Sequence, residues 1–258
     1  MDFTDRIAVV TGGCGGIGGA TATALAEIGA RPVIWDIAQG AEIYCDTARE
    51  ESIEQALART IARHGVPSIL VAAAGISSVH EPLIDLKVAD WDRAFAVNTR
   101  GVMLCYRAVA REMRAAKLDG AMVGVASVNG VLTDPYASAY SAAKAALIHL
   151  SRIAAVEFGQ YGIRVNAVGP GPADTPMLAP MLMRDPSYRT RIEENTPLAK
   201  LGTPDDIAQA IVNILASDWI TGQAIMVDGG ASLLSARGWS AAKARMTGTG
   251  SNSAGQAD

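Results

Sequence analysis

The chain is poor in the residues that build metal centres and disulfide frameworks. Among 258 residues it has three histidines and three cysteines. His64, His80 and His149 lie far apart, which excludes a histidine-rich metal site. Cys14, Cys45 and Cys105 are odd in number and lack metal-type spacing, so they read as reduced thiols of a cytoplasmic protein. Charged residues are also few, at 19%, and the net charge of −4 argues against a nucleic-acid or anionic-membrane surface. No apolar stretch approaches the ~20 residues that span a bilayer. The start, "MDFTDRIAVV", has no basic region leading into a long apolar run, so a soluble, cytoplasmic protein is expected.

What the chain does have is apolar side chains, 50% of the total, and 26 glycines. That is enough for a sizeable core. Short apolar runs alternate with helical patterns. Residues 6–11, 32–36, 42–46, 68–75, 120–127, 163–171 and 224–230 read as strands. Residues 17–28, 51–64, 91–116, 139–158 and 205–216 read as helices, the long one with a break near Asn98. Strands that are apolar throughout and separated by helices imply a parallel sheet covered on both faces. The expected fold is therefore α/β: a doubly wound (Rossmann) parallel sheet of about seven strands in a three-layer αβα arrangement. Between Asp36 and Glu42 there is no room for a crossover helix, and a bare loop is expected. The last residues, 235–258, are rich in Gly, Ser, Thr, Asn and Ala, and are expected to form a partly disordered tail after a domain spanning 1–234.

The stretch "VVTGGCGGIGGATATAL" places a glycine cluster between the first strand and the first helix. Glycine weakens regular structure by roughly 0.5–1 kcal/mol relative to alanine, so the cluster needs a local reason. In a doubly wound fold this is where a pyrophosphate meets bare backbone and free helix N–H groups. Here the pattern is T-G-x-x-x-G-I-G: Thr11, Gly12, Gly16, Ile17 and Gly18, with Cys14 and Gly15 inside the loop. The second strand ends at Asp36, where an acidic residue grips the adenosine ribose and repels a 2′-phosphate. Nothing in "WDIAQG" supplies a cation for NADP, so NAD is the preferred cofactor.

"AYSAAKAAL" sets Tyr140 and Lys144 four residues apart, on one face of a helix. A phenol is a poor base at neutral pH, with a pKa of about 10, and a neighbouring ammonium is expected to lower it. An amphipathic helix is the ordinary reason for such a pair. Position adds to it: Ser127 closes the preceding strand, where open α/β sheets keep their crevice.

With these motifs in this order, the chain resembles a single-domain short-chain dehydrogenase/reductase. The likeness runs from Arg6 to Gly230: the glycine loop, Asp36, Asp46-Thr47, the Gly75 turn, Asn98, Ser127, Tyr140 with Lys144, "RVNAVGPG" and "TGQAIMVDGG". The resemblance implies an enzyme in which Tyr140 is the general acid/base and Ser127 holds the substrate oxygen. It also implies that Lys144 binds the nicotinamide ribose and lowers the tyrosine pKa, and that Asn98 holds a water linking Lys144 to solvent. Cofactor contacts are expected from Gly12, Cys14, Gly15, Gly16, Ile17, Gly18, Asp36, Ile37, Asp46, Thr47, Ala73, Ala74, Gly75, Tyr140, Lys144, Pro170, Gly171, Ala173 and Thr175. No metal is expected.

The chain departs from the family pattern at the "AAAG" turn, where Ala72 and Ala73 replace two asparagines and remove the side-chain hydrogen bonds that brace it. The usual serine pair is "AS", which keeps Ser127. Residues 175–202 match the variable substrate lid, with Met177, Leu178, Met181, Leu182 and Met183 in its front half. Methionine fills irregular apolar space, so a small-molecule secondary alcohol or ketone with an apolar body is the expected substrate. Ser127, Asn129, Thr133, Tyr136 and Met177 are candidates to touch it. The reading is NAD-dependent interconversion of a secondary alcohol and a ketone. The alternatives are a 3-oxoacyl thioester reductase on the same scaffold and a non-catalytic NAD(H)-binding or sensing protein. The resemblance also implies a homotetramer built on the two long helices.

Overall fold

The alternation of apolar runs and helical patterns unfolds in space as a single parallel sheet. A computed structural model describes residues 1–233, and the expected tail lies outside the described residues. In chain order the elements begin with β1 (Ile7–Thr11), α1 (Gly16–Glu27), β2 (Arg31–Asp36) and β3 (Ile43–Tyr44). Next come α2 (Glu50–His64), β4 (Ile69–Ala72), α3 (Val88–Phe95), α4 (Val102–Ala115) and β5 (Gly120–Val125). They continue with α5 (Ser138–Gly159), β6 (Ile163–Pro170), α6 (Ala179–Arg184), α7 (Ser187–Glu194), α8 (Pro204–Ala216) and β7 (Ala224–Val227). The sheet order is β3-β2-β1-β4-β5-β6-β7 and every pairing is parallel. The expected fold class holds.

Side chains alternate across the sheet into two cores, as the period of a strand requires. Val9, Val33, Trp35 and Val165 join Leu57, Val109, Met113 and Leu147 on the side of α2, α4 and α5. Val10, Ile69, Val71 and Val123 join Leu25, Ile207, Ile211 and Leu215 on the side of α1 and α8. Both faces of β4 and β5 are buried along their whole length, which is why those runs carry no polar residue. Each fully buried aliphatic side chain contributes about 1.5–3 kcal/mol. The Trp35 indole, fully buried in the first core, is paired: it donates to Thr60 Oγ1 at 2.9 Å. α8 starts on a capping box, with Thr203 and Asp206 satisfying each other's backbone N–H groups.

Several boundaries differ from the sequence reading, each for a local reason. β4 stops at Ala72 rather than Gly75 because the Ala74 N–H turns to the Thr11 side chain, 3.0 Å away. β7 stops at Val227 because the Asp228 carboxylate accepts from the N–H groups of Gly230 and Ser232, folding a turn. β3 is only two residues long. The long helix expected over 91–116 begins earlier, at Val88, and its break is a widened π turn, Ala96–Gly101, joining α3 to α4. That turn drops Asn98 into the interior, fully buried. As anticipated, no helix separates β2 from β3. No helix among the described residues is long and apolar enough to cross a membrane.

The order of the strands fixes where a ligand fits. Connections run away from β1 in one direction toward β2 and β3, and in the other toward β4 through β7. The loops at the carboxyl ends of β1 and β4 therefore diverge and leave a crevice between them.

Candidate active site

A cleft of about 650 Å³ occupies that crevice. Its floor is the glycine loop. Gly12 has a left-handed backbone (φ 65), and a Cβ there would stand 2.9 Å from Ala74 of the neighbouring loop. At Gly18 a Cβ would collide with the Gly12 carbonyl oxygen, so only glycine lets α1 pack against the turn. The N-terminus of α1 has no side-chain cap, and Gly15 leaves open space where a side chain would stand. Uncapped N–H groups facing a roomy cleft form a ready anion site. These features fit a dinucleotide pyrophosphate.

Along the cleft the carboxylate of Asp36 is already oriented by backbone donors. The N–H groups of Cys14 and Ala38 each lie 3.0 Å from one of its oxygens. Asp46 accepts from the Ala48 N–H at 3.0 Å, and Thr47 beside it is buried in the wall. Every residue expected to touch the cofactor lines this one cleft: Gly12, Cys14 to Gly18, Asp36, Ile37, Asp46, Thr47, Ala73 to Gly75, Tyr140, Lys144, Pro170, Gly171, Ala173 and Thr175.

At the far end Ser127, Tyr140 and Lys144 meet. The Lys144 ammonium is buried, donates to the Val125 carbonyl at 2.8 Å and stands 5.6 Å from the centre of the Tyr140 ring. Burial lowers its pKa to about 8. For Tyr140 burial is the larger influence and raises the phenol, while a hydrogen bond with Ser127 pulls it back. The expectation that Lys144 depresses the phenol is thus not met in the folded chain, because desolvation of the phenolate dominates. Ser127 Oγ in turn accepts from the Asn129 N–H at 3.1 Å.

Asn98 does not line the cleft but stands behind it. Its carboxamide accepts from the Ile76 N–H and donates to the Ile76 carbonyl, both at 3.0 Å. A Cβ on Gly75 would stand 3.1 Å from the Asn98 oxygen and 3.4 Å from the Lys144 nitrogen, so glycine lets these groups approach one point. The "AAAG" turn is therefore braced after all, from outside itself: Thr11 holds Ala74 and Asn98 holds Ile76.

These motifs, in this order on this sheet, have close counterparts. A family model described as enoyl-(acyl carrier protein) reductase matches residues 12–232. A cis-4-hydroxycyclohexanecarboxylate dehydrogenase of Sinomonas cyclohexanicum is 40% identical over 246 residues, covering 88% of this chain and 97% of the relative. The chain belongs to the short-chain dehydrogenase/reductase family. Among solved structures, levodione reductase superposes with a TM-score of 0.83 at 32% identity, covering 90% of this chain and all of that one (100%). ElxO with NADP bound superposes with a TM-score of 0.82 at 28% identity, covering 89% of this chain and 99% of that one.

The substrate end of this short-chain dehydrogenase/reductase is where the sequence reading needs revision. Of the candidates to touch substrate, Asn129 and Met177 line the cleft, and so do Leu178 and Met181 of the lid. Leu182 and Met183 do not, and Met183 is 77% exposed. Tyr136 is a correction. Its backbone is left-handed (φ 71), its carbonyl accepts from the Glu81 N–H at 3.0 Å, and the residue is 58% exposed and not part of the cleft wall. Thr133 is likewise absent from the wall; of the two residues between them, Asp134 is part of it. Ser78, His80 and Tyr188 also line the cleft and were not anticipated. No local pattern marks them, since loops from separate segments bring them together. The lid comprises two short helices, α6 and α7, tied to the post-β6 segment by Arg189, which donates to Asp174 at 2.6 Å.

Proposed function

We propose that this short-chain dehydrogenase/reductase interconverts a secondary alcohol and a ketone with NAD as cofactor, and that Tyr140 is its general acid/base. The observation that carries the reading is the convergence of Tyr140, Ser127 and Lys144 at one end of a cleft whose other end holds the glycine loop and Asp36. The bound nicotinamide supplies the hydride acceptor for oxidation and the hydride donor for reduction. The protein's part is to move the proton and hold the oxygen. In the oxidative direction Tyr140, as phenolate, takes the hydroxyl proton of the alcohol as the carbonyl forms. Ser127 donates to the same oxygen and steadies its charge. The Lys144 ammonium, held by the Val125 carbonyl, would meet the ribose of a bound cofactor, and its positive charge would oppose the burial that raises the phenol.

Asn98 acts as a positioning residue. Its side chain is engaged with Ile76, so it fixes the Gly75 turn beside Lys144, against which the ribose of a bound cofactor would lie. Asp36 supports NAD over NADP: an oriented carboxylate is a good acceptor for ribose hydroxyls and repels a 2′-phosphate. A relative is named for a six-membered-ring substrate, a hydroxycyclohexanecarboxylate, which favours an alicyclic substrate here.

Tyr140→Phe tests the reading. NADH formation with a panel of secondary alcohols is expected to fall at least ~10³-fold, toward the upper end of what a general acid/base contributes. Retention of hydride transfer in this variant rules the assignment out.

A homotetramer belongs to the same proposal, supported by apolar side chains on the outer face of α5, where Val156 is 82% and Ile153 44% exposed. Static light scattering at micromolar concentration is expected to give four times the chain mass; a monomer excludes it. A cytoplasmic setting is supported by the three unpaired thiols.

A further inference from the structure

The substrate half of the cleft carries a carboxylate, Asp134, in its lining. Asn129 links two features of that half. Its backbone N–H donates to Ser127 Oγ at 3.1 Å, and its side-chain amide donates to Asp134 Oδ2 at 2.9 Å. The carboxylate of Asp134 is therefore fixed in the wall by a two-step relay of hydrogen bonds from the reactive serine. Its other oxygen, Oδ1, has no partner among the described residues. An ionised carboxylate offers acceptors and no donor.

Asp134 is solvent-exposed and forms no ion pair among the described residues. Lys144 and His80 are the only basic residues among those lining the cleft. Lys144 is buried and donates to Val125, while His80 is exposed at the mouth. Two guanidinium groups of the lid are directed elsewhere: Arg189 to Asp174 at 2.6 Å and Arg191 to Asp185 at 2.7 Å. The lining of the same cleft also includes the apolar side chains of Val128, Met177 and Met181.

We infer that Asp134, held by Asn129, is a specificity-determining residue that selects an uncharged alicyclic alcohol carrying a second hydroxyl away from the reacting carbon, and that turns away carboxylates. The hydroxyl donates to Oδ1, and the ring packs on the methionines. A carboxylate in the same place meets like charge with no cation to answer it. The inference rests on the alcohol/ketone reading above.

The test compares cyclohexane-1,4-diol, 4-methoxycyclohexanol and 4-hydroxycyclohexanecarboxylate by kcat/KM for NADH formation. The diol is expected to exceed each of the others at least tenfold. Asp134→Asn keeps an acceptor and removes the charge, so the diol-to-carboxylate ratio falls at least tenfold while the diol-to-ether ratio persists. Asp134→Ala removes both, so both ratios collapse. A carboxylate used as well as the diol, as binding through His80 would give, overturns the inference, and so do ratios that neither variant changes. Failure of every alcohol to reduce NAD or NADP overturns the oxidoreductase reading instead. The inference is then judged by calorimetric binding of 4-hydroxycyclohexanone and 4-oxocyclohexanecarboxylate in the presence of NADH. Tenfold tighter binding of the hydroxyketone supports it, and equal or undetectable binding of the two overturns it.

Discussion

Lys144 offers a prediction that separates burial from catalysis. Its ammonium is 4% exposed and its pKa falls from 10.5 to about 8 on folding, with desolvation as the cause. Between those two values the unfolded chain holds a proton on this lysine that the folded chain has released. Stability therefore rises with pH across that window, at about 1.36 kcal/mol per pH unit for one proton. Below pH 8 both states are protonated and the slope vanishes. Lys144→Met has similar length and no titration, and all other groups are shared, so the difference in unfolding free energy between the two proteins isolates this one group. That difference, wild type minus variant, is expected to be flat from pH 6 to 7 and to grow by about 2 kcal/mol between pH 7 and 9.5. Reversible urea unfolding with matched m values measures it. A difference that stays flat to pH 9.5 refutes the argument, because it would mean that Lys144 keeps its ordinary affinity for a proton in the folded protein. The same variant is expected to lose NADH formation at every pH.

Two further predictions rest on hydrogen bonds. Asp36→Ala removes a carboxylate that two backbone N–H groups orient at 3.0 Å; the ratio of kcat/KM with NAD to that with NADP is expected to fall about tenfold or more, in line with the ~1.4 kcal/mol that a lost charge repulsion represents, and an unchanged ratio removes Asp36 from cofactor selection. Asn98→Ala leaves the N–H and carbonyl of Ile76 without their side-chain partner in the interior. Each orphaned group costs about 1–3 kcal/mol, so the urea midpoint falls and kcat declines with it; an unshifted midpoint shows that the Gly75 turn holds its shape without this residue.

Much of the fold was legible because the signals were local and repeated. Strands such as β4 and β5 are apolar at every position since both faces are covered, whereas a strand with one face in water would alternate with polar residues. The cofactor half of the cleft was legible for a related reason: glycines at Gly12 and Gly18 and an acid at Asp36 follow from backbone geometry within one βαβ unit. The substrate half was much less legible. Tyr136 and Asp134 are two residues apart in one loop, and nothing in their neighbours says which faces inward. A left-handed Tyr136 anchored to Glu81 settles it, and that anchor lies 55 positions away in the chain, from 81 to 136. The bracing of the "AAAG" turn was missed likewise, since Thr11 and Asn98 supply from other strands and helices what two asparagines would supply in place.

The sequence by itself determined the succession of strands and helices, the parallel sheet, the pyrophosphate turn and the identity of the phenol, lysine and serine that meet in the cleft. These depend on periodicity, on glycine's freedom and on residue types at short spacing, all of which are written along the chain. Only the tertiary structure decided how proton affinity is distributed between Tyr140 and Lys144, because desolvation depends on every atom packed around a group. It alone also placed Asp134, and not Tyr136, in the wall of the cleft, because a loop's facing is fixed by contacts from distant segments.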